Sequence, residues 1–271
     1  MKKFISIIGL LTAIFGLSLN TVFAQNDSIF IMKDGSVIWE YKVADIDSII
    51  FYRPEVGGIE TGTFTDARDS TVYKWVRIGE QIWMAENLKY LPSIVVPDTS
   101  SNTEPCYYVY GYDSTDIAAA KATENYITYG VLYNWAAVMN GATSSNTNPS
   151  GVQGICPAGW HIPSDTEWVQ LLDLLGGEAV AGGPLKEAGT EHWEEPNTGA
   201  TNKTGFTAIP GGLYNGYGDF TMLGYYNGWW STTAFDEMCS FGCGVYFDDS
   251  EVTHNYCPTH YAFSVRCLRD N

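Results

Sequence analysis

The amino-acid sequence predicts an α+β fold. Three observations carry that expectation: strand-like apolar segments come first, two amphipathic helical segments sit in mid-chain, and the stretch after residue 176 is rich in Gly, Asn, Trp and Tyr with little helical periodicity. Strands and helices that are segregated along the chain argue for α+β rather than a βαβ sheet.

Taken in order, residues 28–32 form an apolar strand pattern, Asp34-Gly35 supplies the positive φ values of a tight turn, and residues 37–43 read as the return strand. Residues 49–52 read as a third strand. A unit of about 30 residues rarely holds a core alone, so it is expected to dock elsewhere. Pro54 to Gly62, with three glycines, reads as linker. Residues 64–84 look like strands around a turn at Asp69-Ser70, followed by a loop-rich stretch from residue 92 to about 128. The first helix is expected over 130–139, where Val131, Leu132, Trp135, Val138 and Met139 share one face and Asn140-Gly141 stops it. The second follows Pro163: Ser164 and Glu167 have capping-box spacing, Trp168, Leu171, Leu172 and Leu175 form the buried stripe, and Gly176-Gly177 ends it. Residues 229–233 and 263–268 read as short strands.

Composition narrows the function classes. Met1, Lys2 and Lys3 precede an apolar run, and Val22 and Ala24 sit at the minus-three and minus-one positions of a cleavage site. The expected organisation is a signal peptide over 1–24, a small β unit over 25–56, a linker over 57–62 and the main domain over 63–271. Removing 24 of 271 residues leaves 247 and takes away two lysines, so the net charge moves from −17 to −19. That balance excludes nucleic acid and anionic membrane surfaces as partners, since both need a basic footprint. No segment after residue 24 reads as membrane-spanning. The chain has six cysteines (Cys106, Cys156, Cys239, Cys243, Cys257 and Cys267). An even number in an exported chain reads as disulfides, and only Cys239 and Cys243 are close enough in sequence to resemble half of a zinc site.

Five blocks carry a family resemblance: residues 76–88 (VRIGEQIWMAENL), 129–135 (YGVLYNW), 154–168 (GICPAGWHIPSDTEW), 205–212 (GFTAIPGG) and 263–270 (FSVRCLRD). With them, the chain from Thr63 onward resembles the Fibrobacter succinogenes major paralogous domain family, a set of exported bacterial domains without an established activity. More distantly, the blocks resemble the C-type-lectin-like fold: two helices, a long-loop region and a small twisted antiparallel sheet, here preceded by the small β-hairpin unit. That likeness implies a bridge from Cys156 to Cys267, whose loop closure is worth roughly 4–5 kcal/mol. Cys257 is then expected to pair with Cys239 or Cys243, leaving Cys106 with the other.

The likeness also frames the candidate sites. Glu195-Pro196-Asn197 matches the tripeptide with which lectins of this fold hold calcium and a sugar, so Glu195 and Asn197 are candidate calcium ligands. The usual Trp-Asn-Asp partner is absent, and its nearest echo is Tyr226-Asn227-Gly228-Trp229. Asp248 and Asp249 form a second carboxylate cluster suited to a cation or simply to solvent. Calcium is the one cofactor expectation. Aromatics from Trp193 to Tyr261 sit among glycines and asparagines, and Tyr214, Tyr225, Tyr226, Trp229 and Trp230 are the candidate ligand-binding surface for a glycan or protein. Strand neighbours point to opposite faces, so one of Trp229 and Trp230 is expected buried and the other exposed.

No catalytic residue is assigned. The chain lacks Gly-x-Ser-x-Gly, His-Glu-x-x-His and a phosphate loop, and His161 reads as a capping or packing residue. The 160–168 block resembles the formylglycine-generating enzyme branch of the same fold, which uses two cysteines on copper. Cys239 and Cys243 are the nearest counterpart, one residue too close and without the flanking Arg-Gly-Gly-Ser. The expected function is a non-catalytic binding or adhesive module at the envelope, periplasm or cell exterior. The alternatives are a structural envelope component and, last, a copper oxidase.

Overall fold

The computed structural model describes residues 28–33, 36–42 and 59–270. The signal-peptide segment and the expected third strand at 49–52 lie outside the described residues. The chain divides into two units that part between residues 55 and 56. In the first, β1 (Ser28–Lys33) and β2 (Ser36–Lys42) pair antiparallel from Ser28 opposite Lys42 to Lys33 opposite Ser36. The expected turn residues 34 and 35 are outside the described set.

The second unit holds two sheets. One has the order β3-β4-β5-β15-β8, from β3 (Thr61–Thr65), β4 (Val72–Ile78), β5 (Gln81–Met84), β15 (Leu268–Arg269) and β8 (Trp160–His161). β3 begins inside the expected linker, because Thr61 and Gly62 pair with Val76 and Trp75. β4 buries side chains on both faces, Tyr73 in one apolar cluster and Val76 and Ile78 in the other, and all four residues of β5 are buried. Leu268 joins the two ends of the domain by pairing with both Trp83 and His161.

The other sheet runs β13-β12-β11-β9-β14-β7-β6, with β10 added on β9. Its members are β6 (Tyr107–Tyr108), β7 (Leu132–Asn134), β9 (Gly211–Tyr214), β10 (Phe220–Leu223), β11 (Tyr226–Ala234), β12 (Cys239–Tyr246), β13 (Val252–Pro258) and β14 (Ala262–Phe263). The single strand expected over 263–268 is therefore split. Phe263 belongs to this sheet and Leu268 to the other, and residues 264–267 cross between them.

The expected helix over 130–139 is half strand. Leu132–Asn134 pairs with β6 and β14, and only α3 (Trp135–Met139) is helical. The switch falls on Asn134, whose Oδ1 caps the helix by accepting from Ala137 N at 3.0 Å and also accepts from Cys106 N at 2.8 Å. Apolar spacing alone could not separate the two halves, since the strand is buried on both faces. α1 (Ile117–Lys121) and α2 (Glu124–Tyr129) lie in the stretch read as loop. The second expected helix is α4 (Asp165–Leu174), with both hydrogen bonds of the Ser164/Glu167 capping box present. A further helix, α5 (Glu178–Leu185), contains Gly182, Gly183 and Pro184. Its glycines allow close approach: a Cβ at Gly183 would lie 2.5 Å from Gly199 O, so tertiary packing overrides a poor helix propensity.

β11 lies between two apolar clusters, and this corrects the expectation for its tryptophans. Trp229 joins Trp168 and Phe206 on one side, and Trp230 joins Tyr133 and Phe263 on the other. Both are 1% exposed. Alternation puts them on opposite faces, but both faces of this strand are interior. Each indole hides 150–250 Å² of surface, worth roughly 4–6 kcal/mol.

Cys156 and Cys267 are bonded, with Cα atoms 6.0 Å apart across 111 residues of sequence. The other expected pairings are not made: Cys106, Cys239, Cys243 and Cys257 are free thiols. Register explains one of them. Cys243 faces His254 and packs in the Trp229 cluster, while Cys257 faces Ser240 and packs against the Trp230 cluster. These two thiols point to opposite faces and cannot meet.

His161 braces α4 to the C-terminal strand. Its Nδ1 contacts Asp270 Oδ1 at 2.6 Å and its Nε2 contacts Glu167 Oε1 at 3.0 Å. Burial opposes protonation, but the hydrogen bonds and charges of Glu167 and Asp270 outweigh it and raise the His161 pKa.

Two outcomes follow. Replacing Cys156 and Cys267 by Ser lowers the unfolding free energy in urea by about 4–5 kcal/mol, the value for a loop of about 100 residues. For His161→Gln, the stability difference from wild type is fully present below the unfolded imidazole pKa of about 6.5 and shrinks as pH rises through the raised folded value. Urea titrations from pH 5 to pH 9 read this directly, and a pH-independent difference would refute a charged His161.

Candidate functional site

A groove of about 660 Å³ opens where β3, β4, the segment after β5 and the end of α2 converge, within the size range of ligand sites. Lys74 and Trp75 come from β4, Glu86 and Lys89 from the segment after β5, and Thr128 from α2, with Arg266 also lining it. The loop after α5 adds Glu187 and His192. Gly62 permits the β3 side to lie against an aromatic ring, because a Cβ there would fall 2.5 Å from Trp75 Cζ2. The Arg269 guanidinium sits 5.0 Å from the Trp75 ring centroid.

Arg266 is 1% exposed. Its Nε donates to Asn87 Oδ1 at 2.9 Å, Nη1 to Met84 O and Phe206 O at 3.0 and 2.5 Å, and Nη2 to Thr207 O at 2.9 Å. All four acceptors are neutral oxygens. Burial lowers its pKa to about 9, against the opposing charge of Glu86. Lys89 donates from Nζ to Ile127 O at 2.6 Å, and burial lowers its pKa as well. Glu86 Oε2 accepts from Lys74 N at 2.8 Å. On the far side, His192 Nδ1 contacts Glu187 Oε2 at 2.8 Å. Glu187, Glu191 and His192 together bring three potential metal-ligand atoms within 4.8 Å of one another.

None of the residues singled out in the sequence lines this groove. Trp229, Trp230, Tyr214 and Tyr226 are buried, so they are core and not surface. Tyr214 Oη donates to Pro97 O, and Tyr226 lies over Tyr246 with ring centroids 4.6 Å apart. Of the five expected contact aromatics, only Tyr225 is exposed, at 41%. Other large aromatics reach the surface instead: Tyr217, Phe235 and Tyr256, the last two stacked at 3.9 Å.

The calcium candidates are divided between buried and exposed positions. Asn197 is buried, and its Nδ2 donates to Glu187 O at 2.9 Å and Gly189 O at 2.6 Å, holding the loop after α5. Glu195 is exposed. Beside Asp248 and Asp249 lies a cation of the chain itself. Lys186, fully buried, donates from Nζ to Thr198 O at 3.0 Å, Tyr246 O at 2.9 Å and Asp249 O at 2.7 Å. Desolvation lowers its pKa to about 8, while Asp249 and Asp248 favour the charged form. The copper candidates are separated in a similar way. Cys239 and Cys243 lie four residues apart on β12, which puts their Cα atoms about 14 Å apart at ~3.4 Å per residue. That exceeds the reach of two thiolates on one ion.

The groove was illegible from sequence because its walls come from seven separated segments. The local signal was that Glu86-Asn87, Gly205, Thr207, Ile209 and Arg266 fall in three of the blocks that carry the family resemblance.

Together these features define a disulfide-clamped α+β domain with a polar groove walled in part by its N-terminal strands. No helix among the described residues is long and apolar enough to cross a membrane. The chain belongs to the Fibrobacter succinogenes major domain family, which matches residues 76–269. No curated protein and no solved structure matches it.

Lys186→Met lowers stability by roughly 2–4 kcal/mol, because three buried carbonyl oxygens lose their donor. Thermal or urea unfolding of the variant measures it. Calcium added to the wild-type protein leaves the melting temperature unchanged, and a calcium-dependent rise would assign a cation to this loop beside Lys186.

Proposed function

We propose that the protein is an exported, non-catalytic binding module with a C-type-lectin-like fold, acting at the bacterial envelope or outside the cell, and that the groove holds a glycan. The groove carries the reading. It is of ligand size, and it combines the half-buried indole of Trp75 with threonine hydroxyls, carboxylates and lysines. Carbohydrates are held by that mixture of apolar surface and hydrogen-bonding groups.

Export is supported by the basic start, apolar run and Val22/Ala24 cleavage pattern, and by a disulfide that persists only in an oxidising compartment. The lectin-like reading is supported by the bridge from just before α4 to just before the last strand, and by that strand's pairing with β5 near the start of the domain. A binding role suits His161, whose two ring nitrogens are both committed to carboxylates that hold structure. It also suits the separation of Cys239 from Cys243.

Glycan-array screening of the purified 25–271 chain, followed by titration calorimetry, tests the reading. The expected result is micromolar binding that Trp75→Ala weakens at least tenfold, about 1.4 kcal/mol. Absence of any glycan ligand, or a ligand bound equally by Trp75→Ala, would remove the groove as the site.

A further inference from the structure

The distribution of positive charge sharpens the ligand class, on the reading that the groove is the binding site. The chain as a whole carries a net charge of −17, and from residue 59 onward it has five lysines and four arginines, nine cations in all. Three of the nine, Lys74, Lys89 and Arg266, line this one groove, and a fourth, Arg269, lies against its Trp75. The arginine ion pairs of the domain are elsewhere, Arg68 with Asp66 and Arg77 with Glu60. Among the described residues, no carboxylate forms an ion pair with Lys74, Lys89, Arg266 or Arg269.

Arg266 is the most telling of the four. A buried guanidinium is ordinarily matched by a carboxylate. This one has four neutral acceptors, and because a guanidinium carries five N–H donors, one of its Nη2 hydrogens is left over. Its low pKa is the mark of a charge that burial has not been compensated for. Lys74 and Lys89 stand on the walls beside it, one exposed and one half-buried. A single anionic group entering the groove would meet all three fields.

We infer that the groove takes an acidic saccharide, with a sugar carboxylate set against Lys74 and Lys89 above the Arg266 guanidinium. Glu86 and Glu187 on the same walls select against polyphosphates and nucleic acid, which would bring several negative charges against them. The same carboxylates accept hydrogen bonds from ring hydroxyls, and Thr63 and Thr128 offer hydroxyls of their own. One carboxylate on a polyhydroxylated ring satisfies this mixture. Lys74 and Lys89 bind; Arg266 sets the potential at the floor.

The test uses calorimetry with oligogalacturonate, oligoguluronate and sialyllactose, each as the free acid and as the methyl ester, beside neutral galactan, cello-oligosaccharides and Asp- and Glu-terminated peptides. At least one acid is expected to bind at least tenfold more tightly than its own ester, with affinity falling between 50 and 500 mM salt (about 14 to 4 Å of screening length). Lys74→Gln/Lys89→Gln is expected to lose that preference while keeping the wild-type far-UV spectrum. Should the double variant fold poorly, the exposed Lys74→Gln alone and the acid–ester comparison on wild-type protein still decide. Equal binding of acid and ester, or binding of neutral glycans alone in a Trp75-dependent way, overturns the acidic ligand and leaves the groove reading intact. Preference for an Asp- or Glu-terminated peptide over every uronate overturns it in favour of a protein ligand. Binding of no member of the panel overturns both.

Discussion

The hydrogen bonds of Arg266 are the constraint on which the rest of the domain depends. Residues 264–267 carry the chain from the β14 sheet to the β15 sheet, and Arg266 fills the space they cross. Its guanidinium reaches Asn87, Met84, Phe206 and Thr207. Asn87 extends the network: its Oδ1 also accepts from Trp229 Nε1 at 3.2 Å, and its Nδ2 donates to Tyr129 O and Ser264 Oγ, each at 3.1 Å. One side chain therefore ties both sheets and the segment before β9 to each other. A hydrophobic residue of equal volume would leave these acceptors without a donor, which is why a charge is tolerated there.

Local chemistry was legible and distant packing was not. Ser164 and Glu167 announced α4 because a capping box is complete within four residues. The Asp69-Ser70 turn between β3 and β4 was legible for the same reason, and Ser70 takes φ of 65° there. The Cys156–Cys267 bridge was legible only through family resemblance, since spacing leaves fifteen connectivities for six cysteines. α5 was hidden by Gly182-Gly183-Pro184, residues present for contact with the loops at 199 and 250 and not for helix formation. The burial of Trp230 depended on Tyr133 and Phe263, which covered the face that alternation left for solvent. The groove was the least legible feature, since no short window contains two of its walls.

Lys186 shows how an internal cation changes the character of a long loop. Two segments far apart in sequence, at Thr198 and at Tyr246 to Asp249, converge on one ammonium group. Loops of this kind are commonly ordered by a bound ion, whose occupancy varies with its concentration. Here the ordering charge is covalently part of the chain, so the loop's geometry is fixed on folding. The two lysine environments of the domain then contrast: Lys186 is spent on structure, with every donor matched, while Lys74 and Lys89 keep their charge turned to the groove.

The position of the crossing segment also has a kinetic meaning. Leu268 is the strand between β5 and β8, Arg266 joins β5 to the loop at 206–207, and Cys267 closes the covalent loop with Cys156. These contacts span 60 to 185 residues, so neither sheet is complete until residues 264–269 are available. A chain emerging from the ribosome in N-to-C order can form hairpins but not the sheet centre. Such a domain cannot close either sheet until its last strand is delivered, so the order of synthesis places its long-range pairing at the end.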